Sequence, residues 1–349
     1  MRRRSILGSI IAAGGLAGCG RTIAPIGRET TGLDPNAVAR TFDAAAALPR
    51  LRAVIVARDG AVLAERLFRG PSMETPTNIK SASKSVLAAI TGAALYRRLI
   101  ENVETPIATA LRDRFPSPAD PRLERITIEN LLTMQAGLAS TSGANYGAWV
   151  SSRDWVRYAL AQPFETDPGQ GMIYSTGTSH LLSATLTRMT DRSTLRLARD
   201  LLGEPLEIEI PGWPADPQGV YFGGNDMRLS PRAMTAIGEL YRNDGVHNGV
   251  RVLPENWVQT SWRGRGRSRW SGNPYGYGWW LRRSGGREIN FAWGYGGQMI
   301  FVVPALRLTV VMTSDPEPTA TRDGHVDALH RLLDEGFIPA AETGAPDAA

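Results

Sequence analysis

Strand-forming sequence sits at the two ends of this chain, with a helical middle between them. Near the start, Leu51-Arg52-Ala53-Val54-Ile55-Val56-Ala57-Arg58 is β-rich. Asp59-Gly60 then gives a hairpin turn, and residues 61–68 return as a second strand. Near the end, residues 276–281, 298–303 and 306–313 are short strand runs, and 323–335 reads as a closing helix. Between about 96 and 284 the pattern is helical. Thr127 caps an amphipathic helix reaching Met134. Residues 152–160 and 179–189 are further helices, and Pro231 opens another that ends at Asn243-Asp244-Gly245. This order predicts an α+β fold. One antiparallel sheet is built from the N- and C-terminal segments and flanked by helices, with an inserted helical region.

The apolar content (42%) and charged content (21%) of the 349 residues suit a folded globular body. The first residues stand apart from it. Arg2-Arg3-Arg4, an apolar stretch from Ile6 to Leu16 and then Ala17-Gly18-Cys19 read as a signal peptide over 1–18. Leu16-Ala17-Gly18-Cys19 resembles the bacterial lipobox, which makes Cys19, the single cysteine, the expected lipidation site. A plain secretory signal with an incidental cysteine is the competing reading. Arg3-Arg4-Ser5-Ile6-Leu7 also resembles a twin-arginine signal. Either way the expected place is the bacterial cell envelope, facing the periplasm on a lipid anchor, or export. Residues 19–35 read as a tether, 36–337 as the folded domain and 338–349 as a loose tail. Within the domain, 36–95 and 285–337 form the mixed part and 96–284 the helical insertion. Losing 1–18 removes three arginines, so the net charge falls from +5 to 5 − 3 = +2. The basic balance therefore says little about partners, and nothing resembles a nucleic-acid module. A local basic run, Arg263, Arg265, Arg267 and Arg269, reads as a solvated loop, or as a contact for anionic lipid or cell-wall polymer.

The chemistry centres on Ser81-Ala82-Ser83-Lys84, which opens the apolar helical run Ser85 to Leu95. Residues three apart on a helix share a face, with Cβ atoms about 5–6 Å apart. An amine thus stands beside a hydroxyl at a helix start, where free backbone N–H groups can bind an oxyanion. Serine becomes a useful nucleophile only when a neighbouring base takes its proton, and Lys84 serves if burial lowers its pKa. Tyr174, in Gly171-Met172-Ile173-Tyr174-Ser175-Thr176-Gly177, is a candidate proton relay, or else a half-buried structural tyrosine. Ala292-Trp293-Gly294-Tyr295-Gly296-Gly297-Gln298 leads into an apolar strand. Its glycines let a substrate approach the backbone, and an edge strand there supplies a second oxyanion N–H. His180, His247, His325 and His330 carry neither a Gly-x-Ser-x-Gly elbow nor metal-ligand spacing, so neither a metal nor a cofactor is expected.

Taken in order, these segments resemble the serine β-lactamase-related family: class C β-lactamases, D-alanyl-D-alanine carboxypeptidases and their esterase and amide-hydrolase relatives. Ser81-x-x-Lys84 matches the first motif, and Tyr174-Ser175-Thr176 matches Tyr-x-Asn with threonine last. Ala292-Trp293-Gly294 stands where the family has Lys-Thr-Gly or His-x-Gly. Leu131-Leu132-Thr133-Met134-Gln135-Ala136-Gly137-Leu138 resembles Leu-Leu-Thr-His-Thr-Ser-Gly-Leu, and Glu204-Pro205-Leu206 resembles Pro-Leu-Gly. The resemblance spans about 38–336 and implies a β-lactamase/transpeptidase-like fold. It also implies Ser81, Lys84 and Tyr174 as catalytic groups, with the backbone N–H groups of Ser81 and Tyr295 as the oxyanion site. Thr176, Gly294, Trp293 and Trp279 are then expected to bind substrate, with Tyr295 sharing the aromatic lining.

Two departures narrow the expectation. Ala292 lacks the cation that holds a substrate carboxylate, and Thr176 lacks the asparagine amide. Both count against penicillin hydrolysis. The variant motif is similar to the esterase and nylon-oligomer-hydrolase branch, which implies a small ester or short linear amide substrate. The alternatives are a non-catalytic cell-wall or ligand-binding protein on the same fold, and a weak penicillin-recognising peptidase or β-lactamase.

Overall fold

The computed structural model describes residues 32–316 and 324–343. The signal peptide, Cys19 and most of the tether lie outside the described residues. Helix α1 (Pro35–Ala46) starts the ordered body, capped by the Asp34 carboxylate on the Asn36 N–H at 2.9 Å. Strands β1 (Leu51–Arg58) and β2 (Ala61–Leu67) form the expected hairpin. Asp59 and Gly60 turn it with φ of 53° and 86°.

The second group of strands is β3 (Gly266–Arg267), β4 (Pro274–Tyr275), β5 (Trp280–Ser284), β6 (Arg287–Gly294), β7 (Gln298–Val303) and β8 (Leu308–Ser314). All eight form one sheet in the order β2-β1-β8-β7-β6-β5-β4-β3. Every pairing is antiparallel, and β1 meets β8 with Val54 opposite Met312 and Val56 opposite Val310. The two ends of the chain therefore close the sheet, as their strand character predicts.

Some boundaries move. The strand expected over 276–281 starts only at Trp280, because Gly276 and Gly278 sit in a tight turn, Gly278 at φ 75°. The run at 306–313 starts at Leu308, after a 3₁₀ turn over Pro304–Leu306. Strand β6 escapes a periodicity reading because charged Arg287 and Glu288 open it and Gly294 ends it. The basic run is not a free loop: Gly266–Arg267 pairs with Pro274–Tyr275, and Arg265 meets Glu129 at 3.0 Å.

Both faces of the sheet are covered, which explains why its central strands are nearly continuous apolar runs. Ala53, Ile55, Ile300, Val302 and Val311 face one core, which includes helix α2 (Ser83–Tyr96). Val54, Val56, Phe301, Val310 and Met312 face the other, against Val38 and Phe42 of α1. Residues Ser83 to Ala94 of α2 are all buried, so this helix is enclosed around its circumference and runs through the centre. Helix α3 (Thr176–Thr190) packs beside it, and helix α4 (Pro231–Arg242) covers the sheet.

The loose tail expected over 338–349 is corrected for 338–343, and 344–349 lie outside the described residues. Helix α5 (His325–Arg331) continues through a π turn, Leu332–Phe337, into a helix over Ile338–Thr343. Ile338, Ala340 and Ala341 are buried. The Ala340 carbonyl accepts the Asp34 N–H at 2.9 Å, and the Ala341 carbonyl accepts the Arg58 guanidinium at 2.9 Å. Small residues read as linker composition, yet alanine is the best helix former, and here it lets the segment pack closely. Arg58 is itself buried, with Gly32 and Leu306 carbonyls as its other acceptors. Truncation after Phe337 is expected to lower unfolding free energy by about 2–4 kcal/mol, by uncovering apolar surface and removing an acceptor from a buried cation. Urea unfolding measures it, and a loss under about 0.5 kcal/mol contradicts the packing argument.

Candidate active site

Ser81 lies in a 3₁₀ turn, Lys80–Ala82, just ahead of α2 rather than inside its first turn. Lys80 adopts φ 50°, a left-handed conformation that is unfavourable for a side chain bearing a Cβ. The surroundings hold it there. The Lys80 N–H donates to Asn78 Oδ1 at 2.8 Å, and Asn78 Nδ2 donates to Asp226 at 2.7 Å. The same Asp226 oxygen lies 3.5 Å from Lys80 Nζ. Ser83 Oγ donates to the Lys80 carbonyl at 2.5 Å and accepts the Met227 N–H at 3.2 Å. A short ribbon pairing Thr77 with Leu229 fixes the approach of the chain. Ser81 is thereby presented on a bend, partly open to solvent.

Lys84 follows one turn later and is only 4% exposed. Its Nζ donates to Ser81 Oγ at 3.0 Å and to the Gly224 carbonyl at 2.6 Å, with Thr176 Oγ1 at 3.5 Å. It also stands 4.9 Å from the centre of the Tyr174 ring. Burial pushes the Lys84 ammonium down from 10.5 to about 7, while the Asp226 charge pulls upward. The expected pairing of a hydroxyl with a deprotonable amine is present.

Tyr174 arrives from the segment before α3. Ser140 Oγ donates to the Tyr174 carbonyl at 2.7 Å, and Ser175 Oγ accepts the Thr141 N–H at 3.1 Å. Ser142 Oγ accepts the Thr176 N–H at 2.8 Å and lies 2.9 Å from Thr176 Oγ1. These bonds lock the Tyr174-Ser175-Thr176 corner to residues 140–142. Burial raises the Tyr174 phenol to about 12, with a hydrogen bond to Ser81 working the other way. Ser81, Lys84, Tyr174 and Thr176 thus converge. A hydroxyl, an amine that titrates near neutrality and a protonated phenol can together accept and return one proton.

Strand β6 forms the opposite wall. A Cβ on Gly294 would lie 2.1 Å from the Ile79 carbonyl oxygen, so the strand approaches the Ser81 turn closely only because this residue is glycine. Tyr295 follows and is 42% exposed, and Ala292 is fully buried. Trp293 packs 5.0 Å from Trp270 and 6.0 Å from Trp280. Trp280 stacks on Tyr174 at 5.5 Å.

Trp279 is the expectation that fails. It is fully buried, 4.6 Å from Tyr241 and 6.2 Å from Trp262, in the core rather than the cleft. The strand begins one residue later, and Trp280, its first residue, joins the aromatic wall instead. A cleft of about 360 Å³ opens beside Tyr174, lined by Ser142, Met172, Ile173, Arg269 and Trp270. Gly224, Asp226, Asn78, Ser142 and Trp270 are contacts that motif reading misses. The one sequence signal for the first two is the turn-like string Gly223-Gly224-Asn225-Asp226.

The Beta-lactamase family model matches residues 38–334, and the chain belongs to that family. Solved structures agree on the fold. A Bacillus anthracis protein assigned as a 6-aminohexanoate-dimer hydrolase is 18% identical, with a TM-score of 0.67 over 84% of this chain and 79% of its own. A family VIII carboxylesterase is 16% identical, with a TM-score of 0.67 over 86% of this chain and 99% of its own. A penicillin-binding protein homologue from Pyrococcus abyssi, an octamer, is 15% identical, with a TM-score of 0.67 over 89% and 79%. No curated protein sequence gives a significant match.

The buried amine has a consequence for stability. Between pH 7 and 10.5 the unfolded chain holds a proton on Lys84 that the folded chain has released, so this group makes stability rise with pH. Below 7 both states are protonated and the folded state bears the full penalty. Lys84→Met is therefore expected to stabilise the protein more at pH 6 than at pH 10, by up to about 3–5 kcal/mol. Chemical denaturation at the two pH values checks this, and an equal or reversed difference refutes it.

Proposed function

We propose that this protein is a serine hydrolase that cleaves a small ester or short linear amide through an acyl-enzyme on Ser81. The contact between Lys84 Nζ and Ser81 Oγ at 3.0 Å carries this reading. Neutral Lys84 takes the hydroxyl proton as Ser81 Oγ bonds to the substrate carbonyl carbon. The backbone N–H groups of Ser81 and Tyr295 bind the oxyanion of the tetrahedral intermediate. Its collapse breaks the carbonyl bond to the alcohol or amine, which leaves with the proton returned by Lys84 or relayed by Tyr174. Water then adds to the acyl-enzyme, gives its proton to Lys84, and Ser81 leaves with that proton. Thr176, Gly294 and Trp293 hold the substrate.

Ala292 supplies no cation for a substrate carboxylate, which favours uncharged esters and amides over penicillins. The carboxylesterase and the 6-aminohexanoate-dimer hydrolase of the same fold support ester or amide cleavage. A binding-only role is disfavoured by the retained contact of Lys84 with Ser81. On the strength of Leu16-Ala17-Gly18-Cys19, we also propose that lipid on Cys19 anchors the enzyme in the bacterial envelope, facing the periplasm.

A fluorophosphonate probe is expected to label the protein at Ser81. Ser81→Ala should lose labelling and at least about a thousandfold in p-nitrophenyl ester turnover. Wild-type labelling in Ser81→Ala refutes the nucleophile. A panel of p-nitrophenyl esters, short amides and fluorescent penicillin assigns the substrate class. Stable penicillin labelling at Ser81 without ester turnover would overturn the esterase reading.

A further inference from the structure

His180 and Asp216 form an ionisable pair that is wholly enclosed, with side chains 0% exposed, and the mechanism above does not use it. The imidazole sits among the rings of Trp149, Trp155 and Phe222, at 5.8, 5.4 and 6.0 Å. A purely packing role in such a cage is better filled by an apolar ring, which has no desolvation penalty. The bonds of the pair give it a different purpose. Asp216 Oδ1 accepts the N–H groups of Gln218 and Val220 at 2.9 and 2.8 Å, and Oδ2 lies 3.0 Å from His180 Nε2. An acceptor there puts the proton on Nε2, which leaves Nδ1 a lone pair. Nδ1 accepts the Gly223 N–H at 3.4 Å. The next residue supplies the carbonyl bonded to Lys84 at 2.6 Å.

We propose that His180 is a positioning residue: with Asp216 it holds the Phe222–Gly223 peptide by its N–H, one residue before Gly224, so that the Gly224 carbonyl is aimed at Lys84 and holds it against Ser81. The inference rests on the reading of Lys84 as the proton-transfer group. Neighbouring residues of the loop are pinned as well, one of them to the same helix, α3. Ser183 Oγ donates to the Tyr221 carbonyl at 2.7 Å, and Trp213 Nε1 donates to that of Phe222 at 3.0 Å. His180 is the anchor next along the chain. Gly224 tolerates no side chain, since a Cβ would lie 2.6 Å from Ser179 Cβ and 3.2 Å from Lys84 Cε. Beyond it, Asp226 reaches Lys80 and Asn78, so one loop braces both Lys84 and the strained turn before Ser81.

The groups that face Lys84 are Ser81 from its own segment, Tyr174 from the segment before α3, Thr176 from the first position of α3, and Asp226 from the loop, with Lys80 Nζ 3.5 Å from Asp226. Asp216 is the titratable group that meets His180. A carbonyl acceptor stabilises the ammonium form of Lys84, so loosening it lowers the pH at which the amine is released.

The test is the pH dependence of fluorophosphonate labelling at Ser81 and of ester turnover. It uses the full chain of wild type, His180→Phe, His180→Asn and Asp216→Asn. The wild-type acid limb is expected near pH 7. His180→Phe keeps a ring in the cage but offers no acceptor. Its plateau rate should fall about tenfold and its acid limb move down by about half to one pH unit. His180→Asn places an amide oxygen near the Nδ1 position and should restore the limb. Asp216→Asn can donate to Nε2 and drive the proton onto Nδ1, where it opposes the Gly223 N–H, so it should reproduce the phenylalanine phenotype with histidine present. An unmoved limb in folded His180→Phe and Asp216→Asn overturns the proposal, even if the rate falls. If His180→Phe does not fold, an Asp216→Asn limb equal to that of wild type overturns it. A wild type without Ser81-dependent labelling overturns the hydrolase reading instead.

Discussion

The withdrawal of one ammonium group from water organises this molecule. Lys84 lies in a helix that is buried from Ser83 to Ala94, where a charge without partners would be untenable. Two consequences follow. The amine releases its proton near neutrality, and it takes the few acceptors that reach it: Ser81, Gly224 and, at longer range, Thr176. Each acceptor comes from a different stretch of chain, so the burial of one side chain ties α2 with the turn before it, α3 and the 213–227 loop to a common point.

The sheet provides the rigid backing. Strands from the two ends of the chain interleave, with β1 beside β8, and both faces are sealed by helices. This lets β6 present its Gly294 edge to the Ser81 turn at a distance that a single methyl group would prevent. The helical insertion supplies what the sheet does not: the Tyr174 corner, and the loop that carries Gly224 and Asp226. Strain at Lys80 is tolerated because Asn78, Asp226 and Ser83 oppose it from three directions.

Electrostatics divide the labour among the site groups. Burial drives the Lys84 ammonium and the Tyr174 phenol, neighbours at 4.9 Å, towards their neutral forms. The rings of Tyr174, Trp280, Trp293 and Trp270 follow one another as a continuous aromatic wall beside Tyr174.

Local chemistry by itself fixed a good part of this protein. The hairpin at Asp59-Gly60, the capped helix at Thr127 and the apolar runs of β7 and β8 are written in neighbouring residues, because turns, caps and strand patterns depend on contacts a few positions apart. The Ser81-to-Lys84 spacing belongs to the same category. Tertiary structure decided the rest. That Trp280 rather than Trp279 reaches Tyr174 depends on where the turn at Gly278 ends. That residues 338–343 form a helix depends on α1 lying ready to cover them. The Gly224 carbonyl has no side chain to advertise it; only the fold brings residue 224 to residue 84, since backbone groups look alike in every sequence until packing aims them.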